Sequence, residues 1–146
     1  MKRFILLALA VGVLGGCSSH PSPKLTVAHA AVGAQSDAGT VVNITLNAAN
    51  TGPKAVPLRD VRYSVRVEGG PEFEGVRSAQ TTLNRYGTAT IVLPAAFTSP
   101  IPAGARLIVS GTVVYVPPGT ISQTLLEAEI VEPTVSFGAP VELSPG

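Results

Sequence analysis

From Leu25 onward, apolar residues recur at every second position. Val42, Ile44, Leu46 and Ala48 alternate with Asn43, Thr45 and Asn47; Val61, Tyr63, Val65 and Val67 alternate with Asp60, Arg62, Ser64, Arg66 and Glu68. Ala89, Ile91 and Leu93 alternate with Thr88, Thr90 and Val92. Successive side chains of a strand point to opposite faces, so each run predicts a strand with one buried face. Ala105 to Val116 is apolar on both faces, and Val135, Phe137, Val141 and Leu143 make a last strand. Turn residues separate the runs at Asn50-Thr51-Gly52-Pro53, Gly69-Gly70-Pro71, Asn84-Arg85-Tyr86-Gly87, Ser99-Pro100-Ile101-Pro102 and Pro117-Pro118-Gly119. This spacing predicts an all-β chain, an antiparallel β-sandwich of seven to eight strands. Ser122 to Val131 (SQTLLEAEIV) fits a short helix, or a strand with Leu126, Ala128 and Ile130 inward.

The front of the chain has a different pattern. Lys2 and Arg3 precede an uncharged stretch, Phe4 to Leu14, and Gly15, Gly16 and the lone cysteine, Cys17, close it. A membrane-spanning helix needs roughly 20 apolar residues, and this stretch ends well short of that. A basic start, a short apolar run and small residues are the marks of a secretory leader. Cleavage by ordinary signal peptidase would leave a free thiol in an oxidising compartment. The order Leu14-Gly15-Gly16-Cys17 resembles the lipobox of bacterial lipoproteins. That resemblance implies that residues 1–16 are removed as a signal peptide, that Cys17 takes a diacylglycerol, and that its new amine is acylated. Two or three acyl chains hold a protein on a bilayer nearly permanently. Residues 17–24 then read as a lipidated, Pro-bearing tether, 25–143 as the folded domain and 144–146 as a tail. Ser18 stands where an Asp would favour inner-membrane retention in many diderm bacteria. The expected location is therefore the cell envelope, on the periplasmic face of the outer membrane if the source is diderm.

Composition narrows the partners. The chain of 146 residues has 10 Lys and Arg against 9 Asp and Glu, a net charge of +1. Without Lys2 and Arg3 the balance becomes 8 against 9, a net charge of −1. No basic excess is left to attract nucleic acid. After Arg106 there is no Lys or Arg, while Glu127, Glu129, Glu132 and Glu142 follow, so the C-terminal third is mildly acidic. With one cysteine no internal disulfide forms. Hydrophobic residues at 45%, with no Trp and only 5% aromatics, predict one aliphatic core.

The segment Val42 to Phe97 resembles the LEA type 2 family, also described as the WHy (water stress and hypersensitive response) domain. The residues that carry the likeness are Asn47 and Asn50, Pro57-Leu58, Tyr63 within VRYSVRV, Gly75 in EFEGVRS, Gly87 and Leu93-Pro94. Leu107-Ile108-Val109-Ser110-Gly111 and Phe137-Gly138 suit the family's closing strands. The family's Asn-Pro-Asn at the first turn is here Asn47-Ala48-Ala49-Asn50. The resemblance implies a fold like fibronectin type III, an association with drying, cold or osmotic stress, and no catalytic residues. Physical reasons stand beside it. Asn tolerates left-handed backbone and bonds its own backbone at strand ends. Gly87 is expected to supply a positive φ. Tyr63 should bury its ring and lead its hydroxyl to a backbone partner.

The chemical inventory is thin. His20 falls in the tether and His29 in the first strand, so they form no metal-ligating pair. No nucleophile elbow, phosphate loop or zinc-protease motif is present. Glu68, Glu72 and Glu74 surround a hairpin tip and read as a solvated turn. Arg59, Arg62 and Arg66 read as charges guarding an edge strand, or as a contact for anionic lipid or a partner. The expected protein is a non-enzymatic envelope lipoprotein that meets the membrane through Cys17 and needs no cofactor or small-molecule substrate. Its role is stress protection or surface interaction; the alternative is an accessory subunit docking on an envelope transport, secretion or assembly complex.

Overall fold

The structure is a computed structural model that describes residues 20–119, 124–125, 127–130 and 132–146. Seven strands follow one another: β1 (Lys24–Ser36), β2 (Gly39–Ala49), β3 (Val56–Val67), β4 (Glu72–Leu83), β5 (Thr88–Phe97), β6 (Arg106–Tyr115) and β7 (Thr134–Ser144). In β2 the even positions from Thr40 to Ala48 are all buried, and in β3 Val56, Leu58, Val61, Tyr63 and Val65 are buried. The shift from even to odd in β3 marks an irregularity between Leu58 and Val61 that keeps both halves facing the core. The core is aliphatic: Ile44, Leu46, Leu83, Leu93, Leu107 and Leu143 are its largest fully buried side chains. Burying each contributes about 1.5–3 kcal/mol.

The alternation points to two separate layers, as in a fibronectin type III-like sandwich. The strands instead build one mixed sheet in the order β4-β3-β6-β7-β1-β2-β5. The joint is short and parallel: Ala30 pairs with Leu143 and Ala31 with Ser144, which continues the antiparallel β6–β7 ladder into the β1–β2 ladder. The sheet curls until its edge strands, β4 and β5, lie side by side, so the barrel is nearly closed. Aromatic contacts fasten this seam. Tyr63 lies 5.8 Å from Phe73 between ring centroids, and Phe73 meets Phe97 edge-on at 6.4 Å. The Tyr63 hydroxyl donates to the Pro94 carbonyl at 2.5 Å and ties β3 to β5 across the gap.

The sequence alternatives for 122–131 fall partly outside the described residues. Among those described, Thr124, Leu125 and Glu127 are helical, and Ala128 N–H donates to the Thr124 carbonyl at 3.0 Å. Ile130, the residue a strand would turn inward, is 69% exposed.

Candidate functional site

The antiparallel registers gather the connections at two ends of the barrel. The chain before β1, the β2–β3 and β4–β5 loops and the β6–β7 connection share one end, since Lys24 pairs with Ala49, Val56 with Leu83, Ala49 with Thr88 and Val114 with Thr134. The β1–β2, β3–β4 and β5–β6 turns and the C-terminus occupy the other.

At the first end, Asn50 organises the loops. It is 2% exposed, and its Nδ2 donates to the carbonyls of Lys54 at 2.7 Å and Asn84 at 3.0 Å, while Oδ1 accepts from Gly52 N–H at 2.9 Å. Tyr86 N–H donates to the Gly52 carbonyl at 3.0 Å, which locks the β4–β5 turn onto the β2–β3 loop. The residues before β1 are packed against this end. The His20 ring covers Gly52, where a Cβ would collide with it. Ser22 and Tyr115 hydroxyls are 3.1 Å apart, and Pro23 is buried. Of the expected tether, residues 20–23 therefore lie on the domain; Cys17 lies outside the described residues.

The positive φ expected at Gly87 falls one residue earlier. Gly87 N–H closes the turn on the Asn84 carbonyl at 3.0 Å, and the third turn position, Tyr86, adopts φ of 52°. A left-handed backbone at that position is normally given to Gly or Asn, because a Cβ there is strained. The Tyr86 side chain is 69% exposed. No hydrophobic pattern could have singled it out; only its place in the turn motif hinted at it.

The remaining candidates are scattered. His29 is exposed on β1 and lies 3.2 Å from the Thr45 hydroxyl. Arg62 and Arg66 do not guard an edge. β3 lies between β4 and β6, so its backbone is paired on both sides, and these side chains stand on the outer face of an interior strand. Arg62 reaches Glu132 at 3.6 Å, and Arg106 reaches Glu68 at 3.8 Å. Glu72 accepts a hydrogen bond from Ser64 at 2.5 Å. Burial pushes the Tyr63 phenol above its ordinary pKa, with Arg77 acting in the opposite direction. Among the described residues, no three His, Cys, Asp or Glu side chains come close enough to hold a metal ion. Two of the open depressions on the outer surface bear on these candidates. One of about 580 Å³ lies over Arg62, Ser64, Glu74 and Thr112. The other, about 730 Å³, is bordered by Asp60, Glu127, Glu129 and Glu132.

No family model and no curated protein matches this sequence. Solved structures do match its fold. Northeast Structural Genomics Consortium target SoR45, an X-ray structure, aligns with a TM-score of 0.59 at 13% identity, over 88% of this chain and 90% of that one. The solution structure of a candidate late embryogenesis abundant (LEA) protein aligns with a TM-score of 0.57 at 11% identity, over 85% of this chain and 72% of that one. At such identities the likeness is one of fold.

Proposed function

We propose that this chain is a non-enzymatic envelope lipoprotein, held on a membrane by acyl chains on Cys17, whose barrel is an LEA type 2 module protecting the envelope during drying or osmotic stress. The observation that carries the reading is the shared fold with a candidate LEA protein in a chain whose Asn50, Tyr63, Gly75 and Leu93-Pro94 fall on that family's pattern. The lipobox Leu14-Gly15-Gly16-Cys17 supplies the location. The outer faces of β3 and β4 are largely polar and exposed, which suits a surface that works by contact and hydration rather than by turnover.

Two measurements test the reading separately. Cys17→Ser should move the protein from the membrane to the soluble fraction or trap its precursor, and unchanged membrane retention refutes the anchor. A deletion strain should survive drying or hyperosmotic shock less well than its parent; equal survival refutes the protective role. A second reading, an accessory subunit of an envelope complex, is favoured by Ile130, 69% exposed within the acidic β6–β7 connection. Cross-linking in intact cells that captures one partner at fixed stoichiometry, lost with Ile130→Asp, would select it.

A further inference from the structure

We infer that the end of the barrel formed by the β2–β3 and β4–β5 loops is a membrane-seating face, with Lys54, Arg85 and Lys24 meeting lipid phosphates and the Tyr86 ring entering the headgroup layer. The inference rests on the lipid anchor proposed above and goes beyond it, because an anchor alone does not choose which face looks at the bilayer.

Three observations converge on this end. The first is where the chain enters. His20 lies on Gly52 and Pro23 is buried, so the described chain begins against this end. Only three peptide units separate Cys17 from His20, and an extended chain covers at most about 3.6 Å per residue, roughly 11 Å in all. The opposite end lies a strand away, ten to thirteen residues at about 3.3 Å each. A short leash fixed at one end brings that end to the headgroups.

Charge is the second observation. Lys24, Lys54 and Arg85 are exposed, and residues 20–24, 50–55 and 84–87 contain no Asp or Glu. The β6–β7 connection shares this end and brings Glu127, Glu129 and Glu132, which gather around Arg59 and Asp60, with Glu132 engaged with Arg62. The far end carries Asp37, Glu68, Glu72 and Glu142 near its turns against Arg66 and Arg106, of which Arg106 is engaged with Glu68, so acids outnumber cations there. Cations near a membrane surface are drawn to anionic lipid, and each adds to the attraction.

The third is Tyr86. A bulky residue in left-handed backbone carries a conformational cost, and such outliers persist where a function requires them. Here the cost projects an amphipathic ring, 69% exposed, next to Arg85 in the chain. Tyr is a residue of membrane interfaces, with an apolar body and a polar tip. The asparagine clamp and the Tyr86 N–H bond to the Gly52 carbonyl tie the backbone of this turn to the β2–β3 loop.

The chain contains no tryptophan, which makes the test direct. Full-length lipidated Tyr86→Trp and Ser99→Trp variants are reconstituted into phosphatidylethanolamine–phosphatidylglycerol vesicles with brominated acyl chains, and fluorescence is compared with unbrominated vesicles. Ser99 is exposed at the opposite end and serves as the reference. The expected result is a blue-shifted emission and several-fold stronger quenching for Y86W than for S99W, with the difference reduced by adding Lys54→Glu and Arg85→Glu. Vesicle-bound protein with equal or weaker quenching of Y86W overturns the seating face and leaves the anchor standing. Protein that fails to float with the vesicles overturns the anchor and this inference together.

Discussion

Asn50 and Tyr63 show how single polar atoms hold an otherwise aliphatic fold. A buried side-chain amide costs free energy unless its hydrogen-bonding atoms are satisfied, and Asn50 meets that demand with backbone groups from three different positions. Three bonds, each contributing about 0.5–1.5 kcal/mol net, make Asn50→Ala cost about 2–4 kcal/mol. Asn50→Asp should be worse at neutral pH, since a carboxylate cannot donate to the Lys54 and Asn84 carbonyls. Urea denaturation of the three proteins checks the order, and an Asp variant as stable as the native protein would contradict it. Tyr63 adds a dependence on pH. Burial raises its folded pKa above the ordinary 10.0, so the folded state holds the phenolic proton more tightly than the unfolded chain. Its contribution is whole below about pH 10 and is lost as pH rises through the folded value. Tyr63→Phe should cost about 0.5–2 kcal/mol at pH 7 by removing the bond to Pro94. It should also flatten the decline in stability above pH 10, measured by thermal melts across the alkaline range.

Across the strands, the same economy appears as pairs of a glycine and an aromatic ring. Gly75 and Gly111 flank Tyr63 in register, and Phe137 is paired with Gly111. A Cβ at Gly111 would meet the Arg62 carbonyl and the Phe137 ring. The ring can turn, but a backbone carbonyl held in a ladder cannot, so Gly111→Ala should destabilise by about 1–3 kcal/mol through overpacking. A melt within a degree or two of the native protein would count against that view. These elements also show what local pattern carries. β2 and β3 are legible because each has one wet face, and alternation follows directly from that. Tyr63's inward ring and its backbone partner are legible for the same reason. β4 is less so: EFEGVRSAQTTL has few buried positions, so its strand has no apolar period, and only the hairpin tip before it and the family likeness pointed to it. The placement of Arg62 on an interior strand depends on β4 and β6 joining β3 from far along the chain, which no local window contains. The turn at 84–87 was legible as a turn, while which residue takes the left-handed backbone was settled by the Asn50 clamp and not by residue preference.

At the scale of the whole molecule, the seam between β4 and β5 is the weak line and also the line most in need of protection. Two strand edges face each other there without a ladder, and unpaired edges invite pairing with other chains. Each edge is blunted by its own device. In β4, Gln80 has φ of 47° beside a register break opposite Leu58 and Asp60, which bends the strand. In β5, Pro94 removes a donor. Its carbonyl bonds Tyr63 across the gap, and since N and O of a strand residue point the same way, the missing N–H faces the open side. Amides of β4 have the fewest buried neighbours and should exchange with deuterium fastest among the strands, while those of β2, paired with both β1 and β5, should be slowest. Restoring the donor with Pro94→Val should make the protein self-associate with rising concentration, as read by sedimentation velocity, while the native protein stays monomeric. Equal behaviour of the two would mean that the aromatic contacts of Tyr63, Phe73 and Phe97 close the seam well enough that the edge is never offered. That distinction matters most under the proposed lipid anchor, which would crowd copies of the chain on a membrane surface. There the local concentration is high, and an open edge would turn neighbouring copies into a continuous sheet.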